Sequence, residues 1–395
     1  MRTDLFGTRS TLIGQQGGTS SVAQVEYDTV IQHVDELLYP PEQVDRIAPG
    51  FIDIQVNGFA GVDYNDPSAS SEAIAHSIRK MFATGVTRFF PTVITGSEEH
   101  MLRALRNLAR AKEEFVRCGL PEGHAMEAFH VEGPHISREE GPRGAHPVEH
   151  VRPPNFEEFQ RWQEAAGGNI RLVTIAPEWE HAPEYIENLV RSGVVASIGH
   201  TQASNAQIQA AVAAGATMST HLGNGALSMM PKTDNCIWAQ LAEDRLTASF
   251  IVDGIHTPSP YLRAALRAKG TERSVLVTDA VMPAMCLPGP YRLGQVDVEL
   301  LENGSVVLRS GTRLAGSVLR MDQAIGNVVR LAGVTLVDAL AMATVNPARA
   351  ARIAGRQRGL TPGEKADLVR FRWDEHSASL TVLETVVAGE TVYKA

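Results

Sequence analysis

Between Gly50 and about Leu276 one pattern recurs eight times: a short apolar, β-branched run, a polar or Gly-containing loop, then a helical stretch. The runs begin near Phe51 (FIDIQV), Val86 (VTRFFPTV), Ala125 (AMEAFHV), Arg171 (RLVTIAP), Val194 (VVASIG), Thr217 (TMST), Leu246 (LTASFIV) and Ser274 (SVLVTD). Strands that alternate with helices are joined by crossovers and lie parallel, and eight of them close into a ring with the helices outside. The predicted class is therefore α/β, a (β/α)8 TIM-type barrel. Ser97 reads as the N-cap of one helix and Ser204 as that of another, which ends before Gly215. Beyond the eighth run, residues 291–313 alternate like a hairpin turning at Asn303-Gly304, and residues 321–332 and 336–343 return to helical periodicity. The ends differ, because residues 1–48 lack crossover helices and residues 366–393 read as short strands. We expect residues 1–48 and 355–395 to form one small β-domain beside a barrel at 49–354.

Charge and cysteine content narrow the function. A formal net charge of -9 argues against a nucleic-acid or anionic-membrane partner, since those surfaces need clustered Lys and Arg. Cys118, Cys236 and Cys286 are widely spaced, form no CxxC and cannot all pair, which suits a reducing compartment. The first 18 residues have no apolar signal core, and no stretch of about 18 apolar residues occurs anywhere. A cytoplasmic location is expected.

Catalytic groups of such a barrel sit where the strands end. Here the runs end in Gln55-Val56-Asn57, His130-Val131-Glu132, Gly199-His200, Thr220-His221, Asp253-Gly254-Ile255-His256 and Thr278-Asp279. Glu132, His200 and His221 make a three-ligand set for a divalent metal with a position left open, as a hydrolytic site requires. Such an ion lowers the pKa of water toward neutrality and polarises a carbonyl. Asp279 is placed to take a proton from that water and pass it to a leaving amine. His130 alternates with Glu132 and is expected to support the site from below.

The motifs PGFIDIQVNG (49–58), FHVEGPHI (129–136), IGHTQAS (198–204), STHLGNGA (219–226), DGIH (253–256), LVTDAVMPA (276–284), LAGS (314–317), ATVNPAR (343–349) and GLTPGEKADL (359–368) resemble the N-acetylglucosamine-6-phosphate deacetylases of the amidohydrolase superfamily. The resemblance implies removal of acetate from an N-acetylated amino sugar phosphate by a homodimer. It implies the same metal ligands and the same acid/base, Asp279. It adds His146 as a contact to the amide carbonyl, His256 as a substrate-binding histidine, and Asn224 with Gly225 as loop contacts to substrate.

Two departures matter. Many relatives carry His-x-His after the first strand, whereas this chain has Gln55 and Asn57. Amides are poor ligands beside imidazole, so we expect one divalent ion per subunit, zinc foremost with iron, manganese and cobalt also accommodated, and we assign Gln55 and Asn57 to the substrate side. The family also places an Arg after its Thr-His-Leu motif to bind the sugar phosphate, and residues 228–235 contain none. Either Lys232 replaces it as a point charge, or the substrate is an unphosphorylated or different N-acyl compound. Other amidohydrolases with binuclear sites commonly use a carboxylated Lys, and no Lys ends a strand here. A non-catalytic scaffold would be expected to lose these four residues, all of which are present.

Overall fold

The computed structural model describes residues 10–39, 44–294, 296–311 and 313–395; the remainder of the predicted N-terminal segment lies outside the described residues. Eight parallel strands form one sheet in sequential order: β1 (Phe51–Val56), β2 (Val86–Ile94), β3 (Phe129–Glu132), β4 (Ile170–Ile175), β5 (Val195–Ile198), β6 (Met218–Ser219), β7 (Thr247–Phe250) and β8 (Ser274–Leu276). A parallel bridge between Val56 and Ala280 joins the first strand to the segment after the last and closes the barrel.

The third strand starts at Phe129, later than its apolar run begins, because Pro121–Ala125 takes a short helix opened by proline. The crossover helices follow their caps. Ser97 accepts a hydrogen bond from His100 N at the start of Glu98–Arg117, and Ser204 forms a capping box with Gln207 ahead of Asn205–Ala213. The helices Met321–Ala332 and Leu336–Ala343 occupy the predicted residues.

The expected hairpin after β8 is a three-stranded antiparallel sheet, Gly289–Leu293, Val296–Leu300 and Val306–Leu308. It turns twice, first at Gly294 and again around Asn303-Gly304, where Leu301 N bonds to Ser305 O.

Strands from both termini share a separate seven-stranded sheet. In spatial order these are Glu390–Lys394, Ser379–Val387, Leu368–Asp374, Arg46–Pro49, Ser10–Gln16, Val22–Tyr27 and Ile31–Glu36. It is bolted to the base of the barrel by a buried charge cluster. Asp367 accepts from Arg88 Nε at 2.6 Å and also pairs with Arg356, and all three side chains are buried. Burial alone would raise the Asp367 carboxyl, but the two guanidiniums outweigh it and hold it far below the usual carboxylate range. Asp367→Ala would remove the carboxylate shared by two buried cations, leaving Arg88 only its longer contact to Glu127 at 3.4 Å and Arg356 no acid among the described residues, so we expect a loss of about 3–5 kcal/mol in urea unfolding. A loss below about 1 kcal/mol would show that solvent or a rearranged acid neutralises them.

Among the described residues no helix is long and apolar enough to cross a membrane.

Candidate active site

The C-terminal ends of the strands bring three ligand-type side chains to one point. Glu132 ends β3, while His200 and His221 each lie two residues beyond their strands, β5 and β6. Glu132 Oε1 is 3.2 Å from His200 Nε2 and 2.9 Å from His221 Nε2. The ligand atoms of the three all lie within 4.8 Å of one another, and all three residues are buried. His200 Nδ1 lies 2.8 Å from Pro142 O, which can only accept, so Nδ1 carries the proton. With a proton on Nδ1, His200 leaves Nε2 as the ring nitrogen that faces the carboxylate and is open to a metal.

The electrostatics favour a cation at that point. Burial would raise the Glu132 carboxyl, but His200 and His221 facing it outweigh burial and hold it well below the usual range. Burial likewise disfavours charge on His221, yet its hydrogen bond to Glu132 raises the imidazole. One carboxylate and two imidazoles with converging atoms fit a divalent metal, which would take the place of the proton drawn to this cluster.

Asp279 follows β8, and two amides from the end of β1 address it. Asn57 Nδ2 donates to its Oδ1 at 2.6 Å and Gln55 Nε2 donates to the same oxygen at 3.2 Å. Gln55 Nε2 also donates to Glu132 Oε1 at 2.8 Å, so one amide group lies between the two carboxylates. These amide N–H groups offset part of the repulsion between the two acids. Burial, followed by repulsion from Glu132, pushes the Asp279 carboxyl up to about 6.

His146 is buried edge-on against the His200 ring, with centroids 4.6 Å apart, and its Nδ1 lies 2.8 Å from Thr95 Oγ1. Burial, then the neighbouring His200, lowers its pKa to about 3, so it is neutral near pH 7. His256 Nδ1 lies 2.6 Å from Asp253 Oδ2, and Asp253 Oδ1 accepts from the backbone of Ile255 and His256. Asn224 bonds to His221 O, and both it and Gly225 line the pocket. At Gly225, φ is +59° and a Cβ would sit 2.8 Å from His200 Nδ1, so a side chain there would displace the His200 ring. His130 lies under Glu132 inside the barrel, its Nε2 2.8 Å from Thr174 Oγ1. Lys232 is exposed and does not line this pocket.

Three of the converging residues carry backbone strain. His200, His221 and Asp279 have φ of 51°, 27° and 50°, in the left-handed region that non-glycine residues seldom adopt. Each costs about 1–3 kcal/mol and persists only where surrounding bonds over-determine it.

Several neighbours escaped the sequence reading. Thr95 meets His146, and nothing in its local sequence marks it for that; Asp253, read only as the end of the seventh run, orients His256. Leu293, Val296 and Val298 of the inserted hairpin line the pocket as an apolar wall, and Asp63 Oδ2 accepts from Gly294 N at 2.7 Å to hold the hairpin tip. Apolar residues on both sides of the Gly294 turn were the one available signal.

The amidohydrolase family model matches residues 46–392. The N-acetylglucosamine-6-phosphate deacetylase of Bos taurus is 38% identical over 361 residues, covering 88% of this chain and 83% of that protein. An N-acetylgalactosamine-6-phosphate deacetylase of Shewanella sp. (strain ANA-3) is 34% identical over 351 residues, covering 88% and 84%. A solved aspartate-to-alanine mutant of the Mycobacterium smegmatis N-acetyl-D-glucosamine-6-phosphate deacetylase, in complex with N-acetyl-D-glucosamine-6-phosphate, is similar with a TM-score of 0.85. Its sequence identity is 32%, and the match covers 98% of this chain and 100% of that one. With the family model spanning most of its length and full-length relatives above 30% identity, this chain belongs to the N-acetylglucosamine-6-phosphate deacetylases of the amidohydrolase family.

Proposed function

We propose that this enzyme hydrolyses the N-acetyl group of N-acetylglucosamine-6-phosphate, giving glucosamine-6-phosphate and acetate. The observation that carries the reading is the convergence of Glu132, His200 and His221 beside an acid, Asp279, whose carboxyl is pushed up to about 6. Glu132, His200 and His221 would hold a divalent ion, with zinc the first candidate, which when bound would supply Lewis acidity for the amide carbonyl and lower the pKa of water. Asp279 removes the proton from the attacking water and delivers it to the departing amine. Its Oδ1 is held by Asn57 and Gln55, so Oδ2 is the oxygen left to exchange the proton. His146 is neutral; where the Thr95 hydroxyl donates to Nδ1, the ring proton lies on Nε2, a donor for the oxygen that gains charge. His256, aligned by Asp253, and Asn224 meet the sugar. Gly225 leaves room for the His200 ring.

The same residues do not by themselves explain a phosphate. Among the described residues lining the pocket there is no Lys or Arg, and Lys232 lies outside it. That observation supports a second reading, in which the substrate is an unphosphorylated or different N-acyl compound. Homodimer formation answers it another way, by bringing a cation to the pocket mouth from a second copy. Met229, 86% exposed in the same loop as Lys232, supports such a contact. We assign the enzyme to the cytoplasm on its three unpaired cysteines, and set domain boundaries at 1–48 with 355–395 and at 49–354.

Acetate release measured side by side on N-acetylglucosamine-6-phosphate, N-acetylgalactosamine-6-phosphate and N-acetylglucosamine decides between these readings. We expect kcat/KM for N-acetylglucosamine-6-phosphate to exceed that for N-acetylglucosamine by about 10²-fold, the scale of a charge-assisted anion contact. Equal rates would remove the phosphate from the substrate, and a preference for the galactosamine ester would change the sugar assigned.

A further inference from the structure

We propose that Asp53 is a positioning residue for Asp279, acting through the hydroxyl of Thr278. The proposal deepens the acid/base assignment of Asp279 and rests on it.

Asp53 lies in β1 and is buried inside the barrel with no cationic partner among the described residues. Its Oδ2 accepts from Thr278 Oγ1 at 2.6 Å, and its Oδ1 accepts from the backbone N–H groups of Thr278 and Gln55, each at 3.3 Å. Thr278 Oγ1 in turn accepts from Ala280 N at 3.1 Å. One hydroxyl thus bridges the backbone on both sides of Asp279.

The other backbone groups of this turn are also bound. Asp279 N donates to Gln55 O, and Asp279 O accepts from Ser317 N. Thr278 O accepts from Ser317 Oγ, and Ala280 O accepts from Asn57 N. Every backbone N–H and C=O from Thr278 to Ala280 is therefore satisfied, and the set holds Asp279 at its left-handed φ of 50°. Asp53 is the acid of this frame, and it also accepts from the N–H of Gln55, the residue whose side chain bonds to Asp279.

A carboxylate only accepts, so it obliges Thr278 to donate to it and to keep a lone pair for Ala280. An asparagine at 53 could still accept from the two backbone groups. Its amide N–H would then meet the Thr278 hydroxyl, which would face two donors with its own proton unplaced. Burial outweighs the hydrogen bonds from Thr278 and Gln55 and pushes the Asp53 carboxyl up to about 7. An acid raised this far by burial burdens stability at neutral pH in a way that an uncharged side chain would not, and with the hydrogen-bond geometry this points to a role beyond holding the fold.

The test uses the full-length enzyme with its metal content measured, and N-acetylglucosamine-6-phosphate as substrate. It compares Asp53→Asn, Thr278→Val, Thr278→Ser and the double variant Asp53→Asn/Thr278→Val, with Asp279→Asn as control. We expect Asp53→Asn and Thr278→Val each to lower kcat by about 10-fold or more, the scale of a small misplacement of a catalytic group. KM and metal content should stay unchanged, Thr278→Ser should keep the wild-type kcat, and the double variant should be no worse than either single one. An unchanged kcat in Asp53→Asn, or Thr278→Ser as impaired as Thr278→Val, overturns the proposal. Should Asp53→Asn fail to fold, the Val and Ser variants at 278 decide it alone. Normal turnover in Asp279→Asn defeats the acid/base reading and this proposal with it. An inactive Asp279→Asn beside a fully active Asp53→Asn defeats the positioning role only.

Discussion

Asp279→Asn lowers kcat by about 10²-fold or more, the scale of a lost general acid/base, while folding and metal content stay as in the wild type. The substitution is nearly isosteric. Asn57 and Gln55 donate to Oδ1, and an asparagine carbonyl accepts in the same place. What changes is the other terminal atom, which becomes an N–H₂ unable to take a proton from water. The pH profile provides a second readout. Burial and then Glu132 push the Asp279 carboxyl up to about 6, and ionisation is required for it to act as a base. Activity therefore falls as pH drops through that range. A bound cation lowers this value, so the acid limb of kcat lies at or below about pH 6. Near-normal turnover in the variant, measured by acetate release, would remove Asp279 from proton transfer.

The barrel was legible because its signal is local and repeated. Each β-branched run is followed by its own helix, and Ser97 and Ser204 mark helix starts by side-chain chemistry that acts over three residues. The same logic nominated the candidate ligands Glu132, His200 and His221 and the candidate acid/base Asp279, since each follows a run directly. Local pattern misplaced the start of the third strand, where Pro121 opens a helix that takes in Ala125. It also merged two turns of the inserted sheet into one, because Asn303-Gly304 is the stronger turn signal and Gly294 stands alone.

Partners distant in sequence were not legible at all. Asp53 and Thr278 are 225 residues apart, and only closure of the barrel between its first and last strands makes them neighbours. The hairpin residues that wall the pocket illustrate the same limit: alternation reveals a strand but not the surface it covers. Lys232 shows the converse. Its position relative to the Thr-His-Leu motif nominated it, yet its side chain stands in solvent outside the pocket.

Glu132→Gln, or exhaustive chelation of the wild-type enzyme, reduces turnover to background, and re-addition of one divalent ion per subunit restores it only to the wild type. Glu132 is the acid on which both imidazole Nε2 atoms converge, at 3.2 and 2.9 Å. Glutamine keeps its shape but removes the charge that offsets desolvation of a doubly charged ion, and an amide oxygen is a weak donor to zinc beside imidazole. Metal occupancy should also depend on pH with a defined sign. Glu132 overcomes burial to raise the His221 imidazole, so protons compete for Nε2, and occupancy falls as pH falls. Because the folded site alone assembles the three ligands, added metal raises Tm of the wild type by mass action and leaves that of Glu132→Gln unmoved. Elemental analysis of both proteins measures the stoichiometry directly. Full occupancy in the variant would displace Glu132 from the ligand set, and two ions per wild-type subunit would contradict the expectation of one ion that rests on Gln55 and Asn57 in place of His-x-His.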